Sequence, residues 1–347
     1  MKRFIIKGTF QECRIAAGSV ATDLSAILPP GNAFIITDEN VFRFHKERFA
    51  SFPVFVIRPG EESKTADTAF RICRWLMDEG AGRNAFVCGV GGGVVCDLAG
   101  FVASIYMRGI DFGFVPTSLL AQVDAAIGGK NGVNLNAFKN IIGTFNQPRF
   151  VHCDPSFLST LPDEELRNGL AEVVKHCLIA DKNMFSNIRD HADALLQRDA
   201  AMLRKVIGHS IGVKVTIVNR DEFERGERRL LNLGHTWGHA VEKTEGIPHG
   251  QAVSIGLCFA ARFSEHRGLL SHAEFNDIEN LLKSLGLPVR AAADPRHVLQ
   301  TILKDKKKED EQLHFVFLHG IGRAVTESIS IRELTAFVAL YDSSKAP

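Results

Sequence analysis

Between residues 85 and 93 the chain reads Ala85-Phe86-Val87-Cys88-Gly89-Val90-Gly91-Gly92-Gly93. A run that is apolar without alternation belongs to a strand covered on both faces, and such strands occur in parallel sheets flanked by helices. The pattern repeats on both sides of it. Phe34-Ile35-Ile36, Val54-Phe55-Val56-Ile57 and Phe112-Gly113-Phe114-Val115 read as further strands. Ala69, Ile72, Cys73, Leu76 and Met77 give residues 66–79 helical spacing, and a second helical pattern follows the glycines. Strands alternating with helices imply a mostly parallel sheet with helices on both faces. After about Cys153 the texture changes. Residues 163–180, 199–221, 228–244, 251–267 and 273–285 read as helices, the first of them opened by Pro162 and the acidic Asp163, Glu164 and Glu165. A hairpin is expected over 313–319 and 323–328, around Gly320-Ile321-Gly322. A chain of 347 residues is too long for one typical core. The expectation is an α/β domain over 1–153 and a mainly α-helical domain over 154–347.

Composition narrows the function classes. Hydrophobic residues make up 45% and charged residues 23%, with a net charge of +1, which is ordinary for a globular chain and gives no footing for a nucleic-acid or membrane-surface role. Only Lys304 to Lys308 is locally basic, and Glu309, Asp310 and Glu311 follow it. The seven cysteines include no C-x-x-C pair, and several lie in apolar runs as buried thiols do. Phe4-Ile5-Ile6 is too short for a signal-peptide core, and no apolar run reaches the roughly 18 residues of a spanning helix. A cytoplasmic protein is expected.

Three groups of residues carry chemistry. Gly89 to Gly93 stand between a strand and a helix, where bare backbone and free N–H groups suit a phosphate; a plain tight turn would have the same glycines. Asp97 is expected in the first turn of that helix, where it would complement the dipole. His235 and His239 are spaced i, i+4 on one helix face, with His249 ten residues on and Glu172 on an earlier helix. Two ordinary polar histidines would share that spacing, but three nitrogen or oxygen ligands with an open position would make a catalytic Zn²⁺ site. Finally, Lys130, Asn134, Lys139, Asn140, Lys175, Lys214 and Arg228 interrupt apolar or glycine-rich stretches. Singly each reads as a solvated surface residue; together they suggest a pocket for a polyanionic, hydroxyl-rich substrate.

Read as ordered strings, these pieces resemble the 3-dehydroquinate synthase family of sugar-phosphate cyclases over roughly Pro59 to Gly322. The strings are Gly91-Gly-Gly-Val-Val-Cys-Asp97-Leu-Ala-Gly-Phe101, Tyr106-Met-Arg108-Gly109, Pro116-Thr-Ser-Leu-Leu-Ala-Gln-Val-Asp124, Gly128-Gly-Lys130, Lys139-Asn140, Gly169-Leu-Ala-Glu172-Val-Val-Lys175, Arg228-Arg-Leu-Leu-Asn232-Leu-Gly-His235-Thr-Trp-Gly-His239 and Asp305-Lys306-Lys307. The resemblance implies a Rossmann-like α/β domain that holds NAD, and a mainly helical domain that holds Zn²⁺ or Co²⁺. It implies Glu172, His235 and His249 as metal ligands, leaving His239 outside that set, and Glu224 and His239 as proton-transfer residues. Arg108, Asp124, Lys130, Asn140, Lys175, Lys214, Arg228, Asn232, His239 and one lysine of the 305–307 string, Lys306 by preference, would contact substrate; Lys130, Lys175, Arg228 and Asn232 would also serve catalysis. Asp38, Asn40, Glu61, Lys64, Gly92, Gly93, Asp97, Thr117, Ser118, Lys139, Thr160 and Asn168 would hold NAD. Arg108 would reach a neighbouring subunit, which implies a homodimer.

The resemblance further implies conversion of 3-deoxy-arabino-heptulosonate 7-phosphate to 3-dehydroquinate and phosphate, through transient oxidation at C5, β-elimination, reduction and an aldol closure, with NAD regenerated each turnover. The chain departs from the family pattern at Asn131-Gly132 (usually Thr-Ala), Phe138 (usually Gly) and Trp237 (often Phe). These flank the lysines and amides without replacing them. Competing expectations are a cyclase for an amino analogue or a sedoheptulose phosphate, a metal-dependent polyol dehydrogenase, and a nucleotide-binding chain without activity.

Overall fold

The structure is a computed structural model that describes residues 1–18, 23–136, 138–306 and 312–343, with the side chains of 305, 306, 342 and 343 left aside. Its strands are β1 (Lys2–Lys7), β2 (Glu12–Ala17), β3 (Ala33–Asp38), β4 (Val54–Ile57), β5 (Phe86–Gly91), β6 (Asp111–Pro116), β7 (Lys130–Leu135), β8 (Phe138–Phe145), β9 (Phe150–Cys153), β10 (Gln312–Leu318) and β11 (Ala324–Ser330). Its helices are α1 (Glu39–His45), α2 (Ala66–Asp78), α3 (Gly93–Ile105), α4 (Asp163–Ala180), α5 (Lys182–Asp190), α6 (Ala192–Leu196), α7 (Ala200–Arg220), α8 (His235–Glu245), α9 (His249–His266), α10 (His272–Ser284), α11 (Pro295–Lys306) and α12 (Ile331–Ser343).

The chain divides into two compact units. The first holds residues 1–166 and 203–223; the second holds 167–202 and 224–347. Residues 203–223 fall with the first unit, beyond a single cut near residue 154, because α7 is pinned there by side-chain hydrogen bonds. Asn219 accepts the Lys7 N–H and donates to the Ile5 carbonyl. Glu222 accepts from Thr9 and from Gln147.

The first unit is built on a seven-stranded sheet in the order β1-β2-β9-β6-β5-β3-β4. Only the β1–β2 hairpin is antiparallel; β2, β9, β6, β5, β3 and β4 run parallel. All six residues of β5 are buried, as its unbroken apolar run requires. From β3 the chain steps outward to β4 and then returns past β3 to β5, so the strand order reverses between β3 and β5. In open α/β sheets ligands bind in the crevice at the carboxyl ends of strands where this reversal occurs. The glycines of the motif have a packing reason. A Cβ on Gly89 would lie 2.9 Å from the Ala99 Cβ, and one on Gly91 would lie 2.5 Å from Val95, so α3 can sit close on β5 only without them. Two hairpins went unread in the sequence, β1–β2 and β7–β8. In the first, β2 alternates from Glu12 to Ile15 but β1 buries only Ile6; in the second, β8 exposes nearly all of its residues.

In the second unit α8 and α9 cross closely. A Cβ on Gly256 would lie 1.9 Å from the Gly234 carbonyl oxygen, and one on Gly238 would lie 2.8 Å from the Ala252 carbonyl oxygen. Behind this crossing Trp237 stacks on Phe259 at 3.8 Å, and Phe263 stacks on Phe337 at 4.2 Å beside the β10–β11 hairpin. The single helix expected over 228–244 is corrected here: it is a 3-10 turn, Glu227–Asn232, followed by α8. Gly234 breaks it by adopting a left-handed φ of 79°, which glycine enters without the Cβ penalty. All seven cysteines are free thiols and all but Cys73 are buried. Among the described residues no helix is long and apolar enough to cross a membrane.

Candidate active site

In the second unit three helices deliver one charged cluster. Glu172 projects from the buried middle of α4, His235 stands at the first turn of α8, and His249 opens α9. Glu172 Oε1 lies 3.5 Å from His235 Nε2 and 3.4 Å from His249 Nε2. The other carboxylate oxygen pairs with Lys175, one helical turn on, and both side chains are buried. The far nitrogens of the imidazoles have acceptors of their own. His235 Nδ1 is 3.2 Å from the Leu233 carbonyl oxygen and His249 Nδ1 is 3.1 Å from Glu242 Oε2. An Nδ1 proton satisfies both acceptors, so that a cation which displaces any proton from Nε2 would meet a lone pair of each ring on the Glu172 side. One carboxylate oxygen and two such nitrogens, all within 4.8 Å of one another, are a donor set that fits a tetrahedral divalent cation with a position left open.

Backbone packing decides that these side chains meet. A Cβ on Gly250 would fall 2.3 Å from the Cα and carbonyl oxygen of Asn168, so only glycine lets the start of α9 press against α4 one turn before Glu172. The electrostatics differ between the two histidines. Burial, then the Lys175 charge, push His235 well below the usual imidazole pKa. Burial would also lower His249, but hydrogen bonds to Glu172 and Glu242 outweigh it and hold that ring at about 9.

His239 completes a trio of rings with centroids 5.1 Å from His235 and 5.8 Å from His249. It lines a pocket of about 390 Å³ with Glu224, Asn232, His235, His314 and Thr326. Glu224, at a left-handed φ of 59°, accepts from Asn232 at 2.5 Å. Arg228 is buried in the 3-10 turn just before. Its burial, with that of Lys175 and Lys214, corrects the reading of each basic residue as a solvated surface group.

In the first unit the residues singled out for a dinucleotide gather at the carboxyl ends of parallel strands. Asp38 ends β3 and caps α1 by accepting from the Asn40 and Val41 amides; burial raises its pKa. Glu61 and Lys64 follow β4, Gly92 and Gly93 follow β5, and Thr117 and Ser118 follow β6. Thr160 follows β9 and is held by His45 at 2.8 Å. Gly92 starts α3 with no side-chain cap. Asp97 is corrected from the first turn: it is the fifth residue of α3, and it pairs with the buried Lys64. Burial raises the Asp97 pKa, and Lys64 opposes the shift. Lys64 also donates to Asn140 at 2.5 Å. Asn134 ties this group together, donating to Glu61, accepting from the Asn140 amide, and donating its own amide to the Lys64 carbonyl. Lys214 donates to Asp124 Oδ1 at 2.5 Å.

The remaining expected residues differ in their exposure. Arg108 lies on an exposed turn where it and Met107 both have left-handed φ, 69° and 49°. Lys130 and Lys139 are exposed on β7 and β8. Asn168 is buried on α4, in the second unit, while the other dinucleotide candidates are in the first. Lys306 ends α11, but its side chain and Lys307 lie outside the described residues. The sequence reading missed Glu242 and His314. Glu242 carried a usable signal, two helical turns beyond His235 and so on the same face; His314, on a strand of the hairpin, carried none.

Comparisons with known proteins agree over most of the chain. Residues 54–168 match the family description "3-dehydroquinate synthase N-terminal" and residues 169–308 match "3-dehydroquinate synthase C-terminal". A 3-dehydroquinate synthase of Acidithiobacillus ferrooxidans is 43% identical over 310 residues, which is 86% of this chain and 85% of that protein. Among solved structures, a 2-epi-5-epi-valiolone synthase from Streptomyces hygroscopicus subsp. jinggangensis, with NAD⁺ and Zn²⁺ bound, superposes with a TM-score of 0.86 at 28% identity, covering 98% of this chain and 99% of that one. A 2-deoxy-scyllo-inosose synthase complexed with carbaglucose-6-phosphate, NAD⁺ and Co²⁺ gives 0.85 at 25% identity, covering 97% and 99%.

Proposed function

The chain belongs to the 3-dehydroquinate synthase family, and from that membership we propose that it is a carbon–oxygen lyase of the shikimate pathway, converting 3-deoxy-arabino-heptulosonate 7-phosphate to 3-dehydroquinate and phosphate. The observation that carries the reading is the Glu172 carboxylate flanked by two imidazole Nε2 atoms whose Nδ1 sides are already engaged. Glu172, His235 and His249 hold a divalent cation, zinc or cobalt, and the strand ends from Asp38 to Thr160 hold NAD. When bound, the metal supplies Lewis acidity to a substrate hydroxyl and the nicotinamide a reversible hydride acceptor.

The chain's own residues bind, orient and move protons. Lys130, Asn140 and Arg108 hold the phosphate. Lys175, Lys214, Arg228, Asn232 and Asp124 fix the hydroxyls and the carboxylate, and so supply the positioning on which successive steps on one carbon skeleton depend. A phosphate oxygen of the substrate takes the C6 proton. Glu224 and His239 handle protons at the pocket they line. Two further readings go with this one. The free, buried thiols support a reducing, cytoplasmic setting. A homodimer is supported by the exposed apolar side chains Ile105, Met107, Leu135, Phe138 and Ile141 around the strained Arg108 turn and the β7–β8 hairpin.

The test is to mix the protein with NAD⁺, Zn²⁺ and the heptulosonate phosphate and to assay inorganic phosphate and 3-dehydroquinate. Both products without net NADH are expected. Net NADH rising in step with turnover would assign a polyol dehydrogenase instead. In the same assay Lys130→Ala is expected to lose tens-fold or more in phosphate release, since losing a charged contact to a bound anion costs about 2–5 kcal/mol.

A further inference from the structure

Helix α8 carries a stripe at i, i+4 and i+7: His235, His239 and Glu242. The last of these faces the neighbouring helix. Its Oε2 lies 3.1 Å from His249 Nδ1, while the opposite nitrogen of that ring lies 3.4 Å from Glu172 Oε1. The Glu242 side chain is only 11% exposed, so its hold on the ring is little diluted by water. The approach of α8 to α9 that permits this contact depends on glycine backbone at Gly234, Gly238 and Gly256. Thus α8 delivers one imidazole of the cluster directly and grips the other, on α9, through a carboxylate. His239, Glu242 and His249 also come within 4.8 Å of one another, so the same carboxylate is near both a cluster histidine and the histidine assigned to proton transfer.

We propose that Glu242 is a positioning residue for the metal site: it accepts the Nδ1 proton of His249, fixes the ring in the tautomer and rotation that present Nε2 beside Glu172, and thereby raises affinity for the divalent ion. The proposal deepens the metal reading above and rests on it. An imidazole ligand is oriented and made more basic by a carboxylate on its far nitrogen, and removing such a partner lowers metal affinity about 10–100-fold. His235 receives the weaker, neutral version of the same support from the Leu233 carbonyl, which no side-chain change removes. The dependence should therefore fall on Glu242.

The test is the Zn²⁺ affinity of the full-length wild type, Glu242→Ala and Glu242→Gln, measured by competition with a chromophoric chelator, alongside thermal unfolding of all three in EDTA. The wild type should take up about one ion per chain. Glu242→Ala should bind about 10–100-fold more weakly. Glu242→Gln, which keeps shape and an acceptor oxygen but not the charge, should fall between and so partly rescue the alanine variant. Melting temperatures in EDTA should move far less than the affinities do. Unchanged Zn²⁺ affinity in both variants overturns the positioning role while leaving the metal site standing. Changes confined to the EDTA melts also overturn it, by assigning Glu242 to packing. No Zn²⁺ uptake by the wild type overturns the metal reading itself, and the proposal with it. If the alanine variant does not fold, the near-isosteric glutamine variant decides alone: several-fold weaker binding supports the proposal and wild-type binding overturns it.

Discussion

In the first unit, polar side chains gather on the loops that leave the carboxyl ends of parallel strands; in the second, they gather on the faces of three packed helices. The first arrangement is tolerant. Strand ends converge whatever the side chains are, and the loops carrying Glu61, Lys64 and Thr117 can be long or short. Its buried charge is balanced directly, Lys64 against Asp97, with Asn140 and Asn134 completing the hydrogen bonds. The second arrangement is intolerant. Glu172, His235 and His249 meet only because glycines let α4, α8 and α9 approach to backbone contact. The contrast teaches where each unit is fragile: the first in its charges, the second in its bare backbone.

The strongest way to break the first unit is Lys64→Met. It strands the Asp97 carboxylate beside a buried apolar chain, and removing one partner of a buried pair costs about 3–5 kcal/mol. Urea unfolding should show that loss, and the double variant Lys64→Met/Asp97→Asn should lose clearly less than the two single changes summed. The corresponding break in the second unit is Gly250→Ala. Its methyl cannot fit against Asn168, so His249 must shift by roughly an ångström, and a displacement of that size costs on the order of 100-fold in kcat/KM. Gly82→Ala, where a Cβ meets nothing within 4 Å, should leave kcat/KM unchanged. If the two glycine variants behave alike, close helix approach is not what assembles the second cluster.

A smaller effect sharpens the comparison by showing a charge at work in the second unit away from the site. Glu274 forms a capping box with Ser271 at the start of α10 and accepts from the Ile321 amide. Partial burial raises its pKa, but the Ser271 and Ile321 hydrogen bonds and Lys182 outweigh this, and the net shift is downward. A lowered carboxyl pKa contributes stability that is full above the ordinary glutamate value and is lost as pH falls through the lowered one. Glu274→Gln should therefore lower stability by about 1 kcal/mol near neutrality, and the gap between the two melting temperatures should close in acid.

Much of the molecule was legible in the order of its residues. The unbroken apolar run at β5 and its repeats told of a parallel sheet, because only burial on both faces removes alternation. The glycines after β5 told of a helix start with open backbone. The metal candidates came from family strings rather than spacing: the i, i+4 rule alone pairs His235 with His239, and says nothing of Glu172 or His249 on other helices. The helix expected over 228–244 ran through Gly234 because periodicity does not register a left-handed φ. Asp97 looked like a dipole partner because its true partner, Lys64, is thirty-three positions earlier on the loop after β4.

By itself the sequence determined the layers: which segments are strands or helices and which faces must be covered, since those follow from local periodicity and from burial of apolar surface. Only the tertiary structure decided the contacts that give the residues their chemistry. Which nitrogen of each histidine faces Glu172, which carboxylate steadies His249, and which lysine neutralises Asp97 are set by close approaches between distant segments, and those approaches depend on backbone separations of a few ångströms that no local pattern encodes.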